Sequence, residues 1–519
     1  MSRSETQQTL SSAGIISASA FGGAIAGFVL QLLVAYYFGA GSETDAFFMA
    51  QSTSEMLSKL LLGGSITAVF LPMFVERITQ GRRDEAWNLG LNILHLTALI
   101  FIVLIGLIGL FAEPFVHFIA PGFDTATSEQ TISLLRVLLP SFLFLFLVEL
   151  VTSMLHSVKH FLTPALLRIV APLTSVVVIV LLVQQLGIYA LALGVLIGSL
   201  LQLALVAWAL SRHGFSYRFV LQPFDPAIKR LLYLVYPFIY SVVVTQGAGI
   251  VYRILVSDLD AGSLSSLKFA EKITQLLTIM FLNSVTFVVF PLLSEKASGK
   301  DYVGMRETIG SALRLITFVT VPLMVGVALL REPLIALIYQ RGSFTAEDAG
   351  LTSIALLFLV LGLTTNGIGS VFGHAVLALQ KTRASVVVTI ASQAVAISLF
   401  VLLVPPMGHA GLALASSLVP LAIALLYGLY LTRFIKKLGS VFWHPTFGKT
   451  IVLAALLAAA VAYTLPLAAA IAAPRQASLI LQLLLPTVTG CLVFFGGAWL
   501  WQVPEMHDVL NLVRSKIKK

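Results

Sequence analysis

The candidates for chemistry in this sequence are nine ionisable side chains inside long apolar stretches. They are Glu55, Lys59, Glu149, Arg168, Arg253, Lys268, Glu271, Lys272 and His374. A charged group inside a bilayer is costly unless it faces a water-filled cavity or a charged partner, so each residue is a functional hypothesis. A lysine ammonium group can bind phosphate as a point charge, and a desolvated carboxyl group can serve proton coupling.

Charge pairing competes with ligand binding as the explanation for two of the lysines. Glu55 precedes Lys59 by one helical turn, and Glu271 directly precedes Lys272. Each pair could balance its charge locally without contacting any ligand. An ion pair and a phosphate contact therefore both remain open for Lys59 and Lys272.

Arg253 and Glu149 have different expected partners. Arg253 lies shortly before Asp258 and Asp260, and a structural ion pair there is favoured over a contact with a ligand. Glu149 stands in a segment of Phe, Leu and Val, where an isolated ionised carboxylate is unfavourable. We expect an ion pair between Glu149 and Arg168 of the next apolar stretch, with proton or ion coupling as the alternative.

The motifs of common enzyme classes are absent from the sequence, so an enzyme is not expected. There is no P-loop, no G-x-S-x-G and no H-E-x-x-H pattern. His374 has no second His or carboxylate at helical spacing, and Cys491, the single cysteine, cannot form a disulfide within one chain. We therefore expect no metal and no cofactor. The net charge of +9 comes without interleaved aromatic residues, so nucleic acid is not an expected partner.

The elements that carry these residues must be membrane-spanning helices. Hydrophobic residues make up 58% of the chain, charged residues only 11%, and the mean hydropathy is +0.98. A soluble domain carries about 25% charged residues, so most of this surface must contact lipid. A spanning helix needs about 20 mostly apolar residues. The sequence predicts an all-α polytopic membrane protein with about fourteen transmembrane helices, at 13–38, 46–75, 88–112, 131–157, 161–184, 187–211, 229–256, 264–294, 307–330, 349–379, 384–405, 410–432, 450–472 and 478–502.

The positively charged residues between the apolar stretches support this number of spans. Twenty-two Lys and Arg lie in the termini and in alternate connections, whereas only Arg331, Arg341 and Arg475 lie in the opposite set. Cytoplasmic loops of membrane proteins are enriched in Lys and Arg, so we expect both termini to be cytoplasmic. The basic tail 514–519 is expected to contact anionic lipid headgroups.

The order of the apolar stretches indicates an internal repeat. Residues 13–211 and 229–432 each contain six stretches of similar spacing, each opening with a glycine-bearing helix, and a polar, basic linker joins them. Two six-helix halves related by pseudo-twofold symmetry are typical of transporters, with the cargo site between the halves. We expect an N-terminal lobe at 1–220, a C-terminal lobe at 221–437, and two further helices with the tail at 438–519.

Several segments resemble one family of transporters. In chain order they are Phe38–Phe48 with Pro72, Ala120–Asp124, Arg253–Ser263, Phe269–Lys272, Phe290–Ser294, Tyr339–Asp348, Ala378–Arg383 and Gly408–Ala415. These segments, including Asp45 in the first outer-loop motif, resemble the lipid II flippase family (MurJ/MviN). This family belongs to a superfamily that includes polysaccharide flippases and drug/cation antiporters. The resemblance extends over about residues 13–435.

The resemblance implies a flippase that moves an isoprenoid-linked glycan precursor for peptidoglycan synthesis across the bacterial inner membrane by alternating access. It implies two lobes arranged in a V, with the last two helices forming a groove for the lipid tail. Membrane lipids and cell-wall synthesis proteins are the implied partners. A proton or sodium gradient, or the membrane potential, would drive the cycle because no ATPase motif is present.

The resemblance also implies cargo contacts at positions where this chain departs from the family. Lys59 and Lys272 would face each other across the cavity where arginines are usual, with Arg253, Gln31, Ser58 and His374 as further contacts. The usual Gly-Phe-x-Arg-Asp motif is Gly27-Phe-Val-Leu-Gln31 here, and an earlier arginine position is Ala24. Because these changes soften the positive charge, a lipid-linked exopolysaccharide unit is an alternative cargo. Two further functions stay open, a cation-coupled small-molecule antiporter that uses Glu149 and a non-transporting scaffold.

The predicted topology can be tested by cysteine labelling in a Cys491→Ser background. We expect a membrane-impermeant maleimide, added to intact cells, to modify Asp124→Cys but not Arg82→Cys. The reason is that Asp124 lies in a connection poor in basic residues and Arg82 in one rich in them. Labelling of both after permeabilisation is the control, and the reverse pattern on intact cells would contradict the topology.

Overall fold

The computed structural model describes residues 3–62, 65–213, 215 and 217–506, and within these ranges the regular structure is helical, with no strand. Eleven of the described helices are long and apolar enough to cross a membrane. This confirms the predicted all-α polytopic class, and the protein is a multi-pass membrane protein. The chain forms two compact units, Met1–Ser265 and Ser266–Lys519. The predicted division at 1–220, 221–437 and 438–519 stays a prediction.

The first unit is built around one central helix. Its helices are α1 (Arg3–Phe38), α2 (Ser42–Leu62), α3 (Ser65–Thr79), α4 (Arg83–Leu110), α5 (Ala112–Ile119), α6 (Thr125–Ser157), α7 (Leu162–Leu186), α8 (Tyr189–Ser211) and α9 (Pro226–Ser257). The central α6 packs against α2, α3, α4, α5 and α8, while α7 packs against α1 and α8. The last helix, α9, packs against α2, α3 and α5.

Small residues allow the closest helix contacts in this unit. A Cβ atom added at Gly23 of α1 would lie 2.8 Å from the backbone oxygen of Arg168 in α7. One added at Gly194 of α8 would lie 2.9 Å from Cα of Ser175 in α7. Lipid tails are as apolar as leucine side chains, so membrane helices associate through tight packing of this kind rather than through the hydrophobic effect.

The second unit combines a helix cluster with a separate helical pair. Its elements are α10 (Ser263–Leu277, which begins at the end of the first unit), a π-helical segment (Thr278–Leu282), α11 (Asn283–Ser298), α12 (Tyr302–Tyr339), α13 (Ala346–Ala378), α14 (Thr382–Met407), α15 (His409–Leu431), a 3-10 segment (Leu438–Trp443), α16 (Pro445–Ala470) and α17 (Arg475–Leu500). Helix α13 is central and packs against α11, α12, α14 and α15. The α16–α17 pair packs on α12.

Three predicted spans, 46–75, 229–256 and 264–294, are not among the eleven apolar helices. The third span is helical throughout, with the π-helical segment between α10 and α11. The first span contains α2 and α3, and residues 63–64 between them lie outside the described part of the chain. Six of the nine candidate ionisable residues lie in these three spans. Polar helices with a non-α segment, such as the one between α10 and α11, line cavities in transporters, because irregular backbone needs partners that lipid cannot supply.

A buried ion pair attaches the α16–α17 pair to the rest of the second unit. Glu505, which is only 3% exposed, follows α17. Its carboxylate accepts hydrogen bonds from Nε of Arg314 in α12 at 2.8 Å and from the hydroxyl of Thr446 in α16 at 3.1 Å. The one carboxylate therefore links three elements that are far apart in the sequence.

Removal of this carboxylate is expected to destabilise the second unit. We expect Glu505→Ala to lower the free energy of unfolding by about 2 kcal/mol, the scale of hydrogen bonds to charged groups that leave a partner unpaired. Thermal unfolding of the purified protein in detergent is the measurement. The control is Glu332→Ala, since Glu332 is the exposed partner of Arg331 and should contribute less than about 1 kcal/mol. Equal losses in both variants would contradict the anchoring role.

Candidate functional site

Hydrogen bonds from Arg253 connect α9 to α2 within the first unit. Its guanidinium donates to the backbone oxygen of Ser52 at 2.7 Å and to that of Gly249 at 2.8 Å. One turn along α2, the backbone oxygen of Met56 accepts a hydrogen bond from Gln246 of α9 at 3.1 Å. Two side chains on one face of α9 thus bind carbonyl groups one helical turn apart on α2.

The predicted ion pair between Arg253 and Asp258 or Asp260 is wrong, because the described structure has no such pair. Side chains on a helix tilt towards its N-terminus. Arg253 follows this rule and reaches back to Gly249, one turn earlier. The two aspartates lie in the other direction, at the C-cap of α9 and beyond it.

Asp45 at the start of α2 accepts hydrogen bonds from the first turn of α10 and from the residue before it. Its carboxylate accepts hydrogen bonds from the backbone N–H of Gly262 and of Ser265, each at 2.7 Å, and from the Ser265 hydroxyl at 2.6 Å. Gly262 has φ +88°, and a Cβ atom there would lie 2.6 Å from the oxygen of Ala40, so this approach requires glycine. Asp45 is 3% exposed. Burial raises its pKa to about 6, although the hydrogen bonds from Ser265 and Gly262 lower it.

Glu149 and Arg168 do not form the predicted ion pair. Both side chains are exposed, and these two described residues are not joined by a salt bridge. The expectation assumed that consecutive helices touch, whereas α7 packs against α1 and α8, and α6 packs against α8. A coupling role for Glu149 stays a prediction.

The choice between a local ion pair and a phosphate contact for Lys59 and Lys272 stays a prediction. Glu55 is exposed and accepts a hydrogen bond from Gln51 at 3.2 Å. Glu271 forms an ion pair with Lys268 at 2.8 Å. Lys272 is half-buried, whereas the side chain of Lys59 lies outside the described part of the chain.

The remaining predicted contacts lie on three different helices. Gln31 in α1 and Ser58 in α2 are half-buried in the first unit. His374 in α13 is half-buried in the second unit, where its ring lies 5.2 Å from the ring of Phe290. Their roles as cargo contacts stay predictions.

Two adjoining cavities lie within the second unit, along α13. The first has a volume of about 430 Å³ and is lined by residues of α10, the π-helical segment, α13 and α15. The second has a volume of about 330 Å³ and is lined by α13 and α15, including His374 and Tyr427. Asn366 and Pro420 line both cavities. His374 is therefore placed in the wall of a cavity, as a ligand-binding residue must be.

Asn366 and Gln275 line the first cavity but are not ionisable, so the sequence prediction missed them. Asn366 lies well inside the apolar helix α13, and Gln275 lies in α10 just before the π-helical segment. Their position within apolar stretches could have indicated both residues, since a carboxamide inside a membrane helix also needs a polar partner. A π-helical segment within an α-helix is itself frequent at functional sites.

Apolar helices long enough to span a membrane, with cavities that contain hydrogen-bonding side chains, are typical of a membrane transporter, and two solved structures have the same fold. An inward-facing multidrug resistance MATE family transporter of the MOP superfamily matches with a TM-score of 0.67 and 15% identity, covering 81% of this chain and 96% of that one. At this identity the match shows the fold. A second solved structure, "Lipid II flippase MurJ, inward closed conformation", matches with a TM-score of 0.80 and 25% identity, covering 94% of this chain and 98% of that one.

Comparison with families and curated relatives narrows the class further. The profile of the family described as "Lipid II flippase MurJ" matches residues 34–477, so the chain belongs to the lipid II flippase MurJ family. A probable lipid II flippase MurJ of Vibrio cholerae is 28% identical over 442 residues, which cover 82% of this chain and 84% of that protein. One of Rickettsia prowazekii is 25% identical over 418 residues, covering 79% and 81%. These matches confirm the resemblance drawn from the sequence motifs.

Asp45 predicts a pH-dependent stability. An unfolded chain has an Asp pKa of about 3.8, so the folded protein, with a pKa of about 6, binds this proton more tightly. The stabilisation from the protonated form is fully present below about pH 4 and is lost as the pH rises through about 6. We expect the stability of the wild type relative to Asp45→Asn to fall over this window, by up to roughly 3 kcal/mol.

Thermal unfolding of both proteins at a series of pH values is the measurement. Because the amide of Asp45→Asn does not titrate, the difference between the two curves isolates Asp45 from the other titrating groups. A difference that stays constant from pH 4 to pH 7 would show that the proton is not bound at this residue.

Proposed function

We propose that this protein translocates lipid II, an isoprenoid-linked peptidoglycan precursor, across the bacterial inner membrane by alternating access. The observation that carries the proposal is membership of the lipid II flippase MurJ family over residues 34–477. The similarity to the solved flippase extends over 94% of the chain. The protein lies in the membrane with both termini in the cytoplasm, which the distribution of Lys and Arg supports.

The cargo has two parts that need different surroundings. Its isoprenoid chain is soluble in the bilayer and can stay there during transport. Its polar headgroup cannot cross hydrocarbon, so it needs a path lined by hydrogen-bonding groups. Hydrogen-bonding side chains in the cavities along α13 of the second unit support such a path.

The charged part of the headgroup is bound by lysines in our proposal, where the family usually has arginines. Lys272 in α10 and Lys59 in α2 supply compact positive charges. A lysine attracts a phosphate without the two parallel hydrogen bonds that a guanidinium makes, so it binds the diphosphate less tightly and releases it more readily. Weaker binding favours turnover, because cargo held too firmly in one state slows the reorientation.

The membrane potential is the proposed driving force. The inside of a bacterial cell is electrically negative, so an anionic headgroup gains energy when it moves outwards. This gain is about 2.3 kcal/mol for each charge at 100 mV. A headgroup with two phosphate charges therefore receives enough energy to bias the direction of transport without hydrolysis of ATP.

The proposal can be tested in liposomes that contain the purified protein and fluorescent lipid II. We expect the protein to expose inner-leaflet lipid II to an external quencher faster than empty liposomes do, and faster under an imposed potential. A lipid-linked exopolysaccharide unit on the same isoprenoid is the comparison cargo. Transport of this second lipid with no transport of lipid II would contradict the proposal and identify the alternative cargo.

Substitution of Lys272 in α10 tests the proposed lysine contact directly in the same liposome assay. We expect Lys272→Ala to slow the flipping of lipid II about tenfold or more, the effect of losing one hydrogen bond between charged groups. Its insertion and its thermal stability should stay unchanged. The matched control is Lys436→Ala, because Lys436 is an exposed lysine of the same unit. Equal rates for the two variants would show that Lys272 does not contact cargo.

A further inference from the structure

The two cavities along α13 contain hydrogen-bonding groups rather than free charges. None of their described lining residues is a Lys or an Arg. The one acidic lining residue, Glu271, is neutralised by its ion pair with Lys268 at 2.8 Å. Phosphate binding needs cations or clustered N–H donors, so these cavities are poorly suited to the diphosphate of an isoprenoid-linked cargo.

Three polar side chains in the first cavity have no partner within the described part of the chain. They are Gln275 of α10, Asn366 of α13 and Ser416 of α15. The neighbouring hydroxyl groups differ, because Thr274 donates to the backbone of Glu271 and Ser417 donates to that of Leu414. Three helices thus each supply one free hydrogen-bonding group to one cavity.

Asn366 is the most informative of the three groups. It lies well inside α13 and lines both cavities. Its carboxamide offers two N–H donors and one oxygen acceptor. A free carboxamide inside a membrane costs energy unless water or a ligand satisfies it, so its position indicates a ligand that can both donate and accept.

We propose that Asn366, with Gln275 and Ser416, binds the uncharged sugar portion of the lipid-linked cargo and determines specificity for it. Sugar hydroxyl and acetamido groups donate and accept together, which matches a carboxamide, whereas a phosphate only accepts. The volumes of about 430 and 330 Å³ suit a small ligand, for which pockets measure about 300–1,000 Å³. A bound cation is disfavoured because no cluster of three His, Cys, Asp or Glu occurs among the described residues.

This assignment rests on the proposed function, and its test uses two lipids with the same isoprenyl diphosphate. One carries an N-acetylated disaccharide and the other carries no sugar. Binding of each lipid to the full-length protein in nanodiscs is measured by native mass spectrometry. We expect Asn366→Leu, which keeps the number and branching of the side-chain heavy atoms, to weaken binding of the disaccharide lipid about tenfold and to leave the sugar-free lipid unaffected.

The matched control is Thr365→Val, on the same turn of α13. The hydroxyl of Thr365 donates to the backbone of Gly362, and the residue lines neither cavity. We expect Thr365→Val to bind both lipids as the wild type does. Should Asn366→Leu fail to insert, Gln275→Leu and Ser416→Ala should each show a smaller loss that is again confined to the disaccharide lipid.

Three results would overturn the assignment. Unchanged binding of both lipids to Asn366→Leu would show that the carboxamide contacts no sugar. An equal loss for both lipids would show that it acts on the diphosphate or on the fold. An altered dependence of binding on Na⁺, without selectivity for the sugar, would make it a cation ligand. Failure of the wild type to bind either lipid would instead count against the proposed function itself.

Discussion

The hydrocarbon core of a membrane offers no hydrogen bonds, and this constraint determines where the polar residues of this chain can lie. Arg253 satisfies it by binding the backbone oxygens of Ser52 and Gly249. Glu271 satisfies it with Lys268. Asn366 has no partner within the described protein and borders two cavities instead. Two of these three polar groups therefore have partners in the protein, and the third borders a space that water or a ligand can fill.

The same constraint applies to the π-helical segment between α10 and α11. A non-α segment leaves backbone groups without their usual helical partners, and these groups need protein or water partners when they lie at membrane depth. The segment lies in the predicted span 264–294, which also carries three of the nine candidate ionisable residues. It borders the first cavity through Thr278 and Ile279. Irregular backbone and polar side chains thus lie beside the same cavity.

The two proposals divide the recognition of an amphipathic cargo between two kinds of side chain. Lysines suit the anionic part of a headgroup, and carboxamides and hydroxyls suit its neutral sugars. Lys272 of α10 lies one turn before Gln275 in the same helix, so one helix can supply both proposed contacts. In this proposal, the softer positive charge at the diphosphate leaves more of the specificity to the sugar contacts.

The predictions from sequence that were confirmed, the fold class and the family, rest on properties summed over many residues. Hydropathy over long windows predicted an all-α membrane protein, and the motifs from Phe38 to Ala415 indicated the family that the profile confirmed. Each of these signals is carried by many positions, so errors at single residues do not change the result. The π-helical segment at 278–282 escaped prediction because a π-helical turn keeps the average hydropathy of a continuous α-helix.

The partners of individual side chains were decided only by the tertiary structure. Arg253 was expected to pair with an aspartate nearby in the sequence, but it binds a backbone oxygen of α2 instead. Glu149 and Arg168 lie on helices that are consecutive in the chain, yet α7 packs on α1 and α8. Asn366 is a candidate ligand-binding residue only because two cavities lie beside it. The sequence determined which residues need a partner, because that need depends on side-chain chemistry and apolar surroundings. Which partner each one finds depends on how distant helices pack, and local sequence does not encode that directly.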